Sequence, residues 1–102
     1  MRRDEALRII RAHEAELRAM GVESIELFGS VARDEAGPES DVDVLVGVTD
    51  EIRSRPWGGY DQLEDVKALL SRAMGESVDA VRLPLVRERF VNAIRNERIA
   101  AF

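Results

Sequence analysis

The sequence predicts an α/β (α+β) fold: a small mixed β-sheet flanked by helices. Three observations predict it. Apolar residues collect in short strand-like runs at 23–28, 41–48 and 77–83, with polar residues or turn signals at their ends. Before, between and after these runs, apolar residues recur at helical spacing over 4–20, 61–74 and 85–102. A chain of 102 residues with an apolar fraction of 45% has the material for one core, so one domain spanning 1–102 is expected.

The elements follow in order. Residues 4–20 read as one helix, with Asp4 as N-cap, a stripe of Ala6, Ile10, His13, Leu17 and Met20, and Gly21 as the stop. His13, the only histidine, falls on or beside that stripe and is expected to be a packed or boundary side chain. Residues 23–28 alternate as a strand, and 31–40 read as a short helix and a turn at Gly37-Pro38. Residues 41–48 are the central strand. Residues 49–60, with Arg53, Arg55, Pro56, Trp57, Gly58 and Gly59, read as a long loop. Trp57 has two readings, a base-stacking ring with Arg53 or Arg55 near phosphates, or a cover for the sheet edge; the cover is the expectation. Asp61 to Glu64 fits a capping box opening the helix 61–74, whose buried stripe is Leu63, Val66, Leu69, Leu70 and Ala73, and Gly75 ends it. Residues 77–83 form a further strand closed by Pro84, and 85–102 the last helix, with Val86, Phe90, Ile94 and Ala101 as its buried positions.

Composition removes several function classes. The chain has no cysteine, which excludes disulfides, thiolate zinc sites and cysteine nucleophiles, and one histidine excludes a multi-histidine metal site. A formal net charge of −5 argues against strong nucleic-acid binding, which needs phosphate neutralisation by Lys and Arg. No apolar run approaches a membrane span, and Met1-Arg2-Arg3-Asp4-Glu5 turns acidic at once instead of opening a signal peptide. A cytoplasmic location is expected.

The chemistry concentrates in 27–48. Leu27-Phe28 ends an apolar strand at Gly29-Ser30; ten residues later, Asp41-Val42-Asp43 opens the next strand. Side chains at i and i+2 of a strand share a face, so Asp41 and Asp43 project together and Val42, Val44 and Val46 project to the other side. Two like charges on one face repel, which a bound cation would relieve. Gly29 lets backbone approach a ligand closely, and Ser30 offers a hydroxyl and an N–H. Arg33 has two readings, a triphosphate contact or an ion pair with a nearby acid. Asp79, alone among apolar neighbours in Ser77-Val78-Asp79-Ala80-Val81, is either a third ligand or a strand-end carboxylate satisfied by local backbone.

Gly-Ser, ten residues and Asp-x-Asp, with apolar strands on both sides, resembles the nucleotidyltransferase superfamily that includes DNA polymerase beta, and within it the minimal nucleotidyltransferase family. The resemblance covers nearly the whole chain. It implies the polymerase beta-like fold and Asp79 as the third acid. It implies that Asp41, Asp43 and Asp79 ligate Mg²⁺, two ions when nucleotide is bound, and that Gly29, Ser30 and Arg33 hold the phosphates of ATP. It also implies Asp79 as the acid that receives the proton of the attacking hydroxyl. The implied partner is a HEPN-domain toxin that accepts AMP on a hydroxyl, the chain acting as antitoxin. Two other functions stay open: an antitoxin that blocks its partner by contact alone, and a transferase acting on a small molecule.

Overall fold

The sheet has four strands: β1 (Val22–Phe28), β2 (Val42–Val48), β3 (Val78–Arg82) and β4 (Ile99–Ala100), in the order β3-β2-β1-β4. The computed structural model describes all residues, Met1–Phe102. β2 runs antiparallel to β1 and parallel to β3, and β4 pairs antiparallel with the outer edge of β1. The sheet is therefore mixed, as expected. Six helices accompany it: α1 (Arg3–Ala12), α2 (Glu14–Ala19), α3 (Gly29–Ala32), α4 (Asp50–Arg53), α5 (Tyr60–Met74) and α6 (Glu88–Ile94).

The two faces of the sheet are covered unequally. Val42, Val44, Val46 and Val48 of β2 and Ile25 and Leu27 of β1 join Ala6, Ile10, Leu17, Val66 and Leu70 in one large core, most of them wholly buried. The opposite face carries a small cluster of Phe28, Leu45 and Ile94, with Val81, Leu83, Leu85 and Phe90 partly buried against it. Strand alternation makes this division, because residues of odd number in β2 face the second side.

Five expectations about the helices are corrected. Residues 4–20 are two helices, because His13 interrupts the ladder at φ −105°, ψ 12° and its Nδ1 donates to the Ile9 carbonyl at 2.9 Å. Asp4 is not the cap: α1 starts after Arg2, and Asp34, at φ 60° in the turn after α3, accepts the Arg3 N–H at 3.0 Å. The loop 49–60 contains α4, capped by Thr49, whose side chain accepts the Ile52 N–H. Asp61 does not cap α5: Gly59, at φ 85°, is the N-cap and offers no side chain, while Asp61 lies in the first turn, where its charge suits the helix dipole. The last turn of α5 buries Met74 where Ala73 was expected.

The largest correction is at the C-terminal end. Residues 85–102 are not one helix. α6 has seven residues, and after a turn the chain extends as β4 along β1, with Glu26 opposite Ala100 and Leu27 opposite Ile99. Val86 is 88% exposed, Phe90 half-buried, and Ala101 is buried through its place beside β1, since its N–H donates to the Ile25 carbonyl at 2.8 Å. Arg11 of α1 ties this end down, with Nε donating to the Ala101 carbonyl at 2.8 Å and Nη2 to that of Ala100 at 3.3 Å. Arg98 adds an ion pair to Glu26 at 2.6 Å.

Candidate active site

The site is built where β1 ends and β2 and β3 begin, on the thinly covered face. Phe28 is fully extended and opposite Asp43 in the antiparallel register. Gly29 then turns the chain at φ 75°, a left-handed conformation that strains any residue with a Cβ. Space demands glycine as well. A Cβ at 29 would run into Asp43 Oδ2, and Asp43 Cγ would lie only 3.2 Å from it. The carboxylate of Asp43 thus rests in the hollow that the glycine leaves, and the Gly-Ser turn and the acid pair form one piece of structure.

The parallel register sets Asp43 of β2 against Asp79 of β3. Asp41, two residues before Asp43, lies just outside the strand on the same side. Asp41 and Asp79 are exposed and Asp43 is half-buried. Burial pushes the Asp43 carboxyl up to about 6, and the charges of Asp79, then Asp41, then Glu97 push the same way, against the pull of Arg33. A half-buried acid raised by like charges is the condition that a bound cation would relieve. In this conformation no three His, Cys, Asp or Glu side chains stand close enough together to hold an ion among them. The donor set nevertheless fits Mg²⁺, since all of it is hard carboxylate oxygen and two of its members are exposed side chains free to turn.

Arg33 is ion-paired with two acids. Its Nη1 meets Glu97 Oε2 at 2.6 Å and its Nε meets Glu35 Oε2 at 3.2 Å. The bond to Glu97, then that to Glu35, holds the guanidinium firmly protonated. Ser30 is half-buried in α3 directly after the turn. Glu97, which the sequence reading missed, also accepts the Gly29 N–H on Oε1 at 3.1 Å. The motif gave no sign of it. The only signal was the pairing of β4 with β1, which continues to place residue 97 opposite residue 29.

The Trp57 segment stands apart from these residues. It begins after Val48, at the far end of β2, about 17 Å along the strand from Asp43 at the rise of an extended chain. Trp57 is 79% exposed, so it neither covers the sheet edge nor packs beside the acids. Gly58 and Gly59 after it are both at positive φ, and Ile52 packs where a side chain at 59 would go. Arg53 is engaged with Asp50. Beyond Asp79 along β3, a groove of about 600 Å³ opens between Tyr60, Val81, Leu85, Val86 and Phe90.

No helix is long and apolar enough to cross a membrane. The sequence profile of the nucleotidyltransferase domain matches residues 10–100. No curated protein sequence matches significantly. Among solved structures, one described as a minimal nucleotidyltransferase is 30% identical, with a TM-score of 0.72, covering 97% of this chain and 95% of its own. A toxin-antitoxin structure with AMP-PNP is 18% identical at a TM-score of 0.63, over 90% of this chain and 72% of that one. A structure of tri-AMPylated Shewanella oneidensis HEPN toxin in complex with MNT antitoxin is 17% identical at a TM-score of 0.60, over 94% and 71% of the two chains. These last two show likeness of fold.

Proposed function

Because the chain belongs to the nucleotidyltransferase domain family, we propose that it acts as a single Mg²⁺-dependent transferase domain that moves AMP from ATP to a hydroxyl of a partner protein. The observation that carries the reading is the packing of the Asp43 carboxylate into the hollow of Gly29. It joins a turn suited to phosphate and a set of acids suited to a cation in one place.

The roles follow from position. Asp41, Asp43 and Asp79 would hold Mg²⁺, two ions once nucleotide is bound. Bound there, the metal neutralises phosphate charge and favours the ionised form of the attacking hydroxyl. Ser30, through its hydroxyl and N–H, and Arg33, through its guanidinium, hold the β- and γ-phosphates. This leaves the α-phosphorus open to the acceptor. The acceptor oxygen bonds to that phosphorus, the bridging P–O bond breaks, and pyrophosphate leaves. Asp79, exposed at the sheet edge, takes the proton of the acceptor hydroxyl.

A protein acceptor is favoured by the apolar groove between Tyr60 and Phe90, because Val81 on its wall lies two residues from Asp79 on the same face of β3. A small molecule would leave such a surface unexplained. The likeness to a structure of tri-AMPylated HEPN toxin in complex with MNT antitoxin supports a HEPN-domain toxin as that partner. The same groove would also serve an antitoxin that inhibits by contact alone, so the experiment must separate binding from transfer. The chain is mixed with a candidate HEPN protein, ATP and Mg²⁺, and the partner is weighed. A gain of one or more AMP units, absent with Asp41→Asn, supports transfer. A stable complex without mass gain, with neutralisation that survives Asp41→Asn, refutes it in favour of contact inhibition.

A further inference from the structure

Glu97 lies outside every motif, yet its two oxygens are both spent on the Gly29–Arg33 turn. Oε1 accepts the Gly29 N–H at 3.1 Å and Oε2 accepts Arg33 Nη1 at 2.6 Å. The side chain is 16% exposed, against 43% for Arg33. A carboxylate so placed is costly near another acid, and its charge adds to the upward push on Asp43. Hydrogen bonds from two donors offset that cost.

The backbone explains how Glu97 gets there. β1 and β4 pair with Glu26 opposite Ala100 and Leu27 opposite Ile99. Continued by two residues, the register sets Glu97 opposite Gly29. β4 has already ended, so no ladder carbonyl is available to the Gly29 N–H. The Glu97 side chain takes the carbonyl's place. That N–H points to the β4 side of β1, away from β2 and its acids. Glu97 therefore stands on the β4 side of the turn. Arg33, at the other end of the same helical turn, bonds to the same carboxylate.

We infer that Glu97 is a positioning residue for nucleotide: it acts through the Gly29 backbone and through Arg33, fixing the turn so that Ser30 and Arg33 meet a triphosphate in a set geometry. The inference rests on the nucleotidyl-transfer reading of the site. Pre-organisation of this kind shows in affinity, because an unfixed turn and a free guanidinium must be ordered when the ligand binds. Glu97→Gln preserves the acceptor for Gly29 and removes the charge facing Arg33, whereas Glu97→Ala removes both.

The test measures Mg·ATP binding by calorimetry for the wild type, Glu97→Gln, Glu97→Ala, Arg33→Ala and the double variant Glu97→Ala/Arg33→Ala. Glu97→Ala is expected to weaken binding about tenfold or more, the scale of one charge-assisted hydrogen bond, with Glu97→Gln between it and the wild type. The double variant is expected to fall below Arg33→Ala alone by no more than the step between Glu97→Gln and Glu97→Ala, the share carried by Gly29, because the share carried by Arg33 is already lost. A merely structural role would make the two losses multiply. Glu97→Ala that binds as tightly as the wild type, or tighter, overturns the inference, as do multiplying losses. Should Glu97→Ala not fold, Glu97→Gln/Arg33→Ala decides: it is expected within about twofold of Arg33→Ala alone, since Gln keeps the acceptor for Gly29, and multiplying losses overturn the inference. A folded wild type that binds no Mg·ATP overturns the nucleotide reading itself and the inference with it.

Discussion

Replacing Asp43 by Asn should stabilise the metal-free protein, and the gain should depend on pH. Burial and the neighbouring acids lift the Asp43 carboxyl from 3.8 to about 6. The folded chain thus binds this proton more tightly than the unfolded chain. The associated stability is complete below 3.8 and is lost as pH rises through about 6, so at neutral pH the ionised group costs the fold free energy. A shift of about two units corresponds to about 3 kcal/mol. Asp43 reaches solvent, and screening lowers the sum to about 1–2 kcal/mol. For a chain near 100 residues that is a rise of about 5–10 °C in melting midpoint. Wild type and Asp43→Asn would be melted in parallel, with a chelator present, from pH 4 to pH 7.5. Groups that titrate alike in both proteins cancel in the difference. The gap should be small at pH 4, open as pH rises through about 6, and be complete at pH 7.5. A gap that does not change with pH, or a wild type as stable as the variant at pH 7.5, refutes the electrostatic account of the site.

Three further outcomes are expected. Gly29→Ala should lower stability in denaturant titration by about 2 kcal/mol or more, since a left-handed alanine alone costs about 1–2 kcal/mol and its Cβ also meets the Asp43 carboxylate; an unchanged midpoint would show that the turn relaxes freely. Arg11→Ala should speed hydrogen exchange at Ala101 and Phe102, whose N–H groups bond to Ile25, while exchange at the β1–β2 ladder stays slow; equal rates in both proteins would show that β4 holds without that side chain. Trp57 should show the emission of a water-exposed indole and be quenched readily by iodide, and Mg·ATP should leave it unchanged, because the ring is exposed and lies beyond the far end of β2 from the acids; protection by nucleotide would return it to the base-stacking role.

The sheet was legible in the sequence because its strands carry their own pattern. Val42, Val44 and Val46 alternate against Asp43 and Leu45 within the strand itself, and the Gly-Ser turn and paired acids lie inside a short stretch. The parts that were not legible depend on contacts between distant segments. The spacing of Phe90, Ile94 and Ala101 fits a helix, but Ile99 and Ala100 are held by the open edge of β1, a partner some seventy residues away, which no local propensity records. Glu97 follows from that pairing and was hidden with it. The break at His13 depends on one ring bonding back to Ile9. At Trp57 the expectation of a covering role failed: the ring is exposed, because apolar character does not fix direction.

The in-register pairing of Asp43 with Asp79 also bears on errors of folding. A slip of β3 by one residue would turn all its side chains over. Val78, now 1% exposed, would swing to the open face, and Asp79 would be driven against the valines of the large core. One mistake would cost both the acid pairing and the packing that stabilises the chain. A misthreaded molecule therefore has no durable, half-working form in which to persist: it would be loose enough for chaperones and proteases to find before it could hold nucleotide or a partner unproductively.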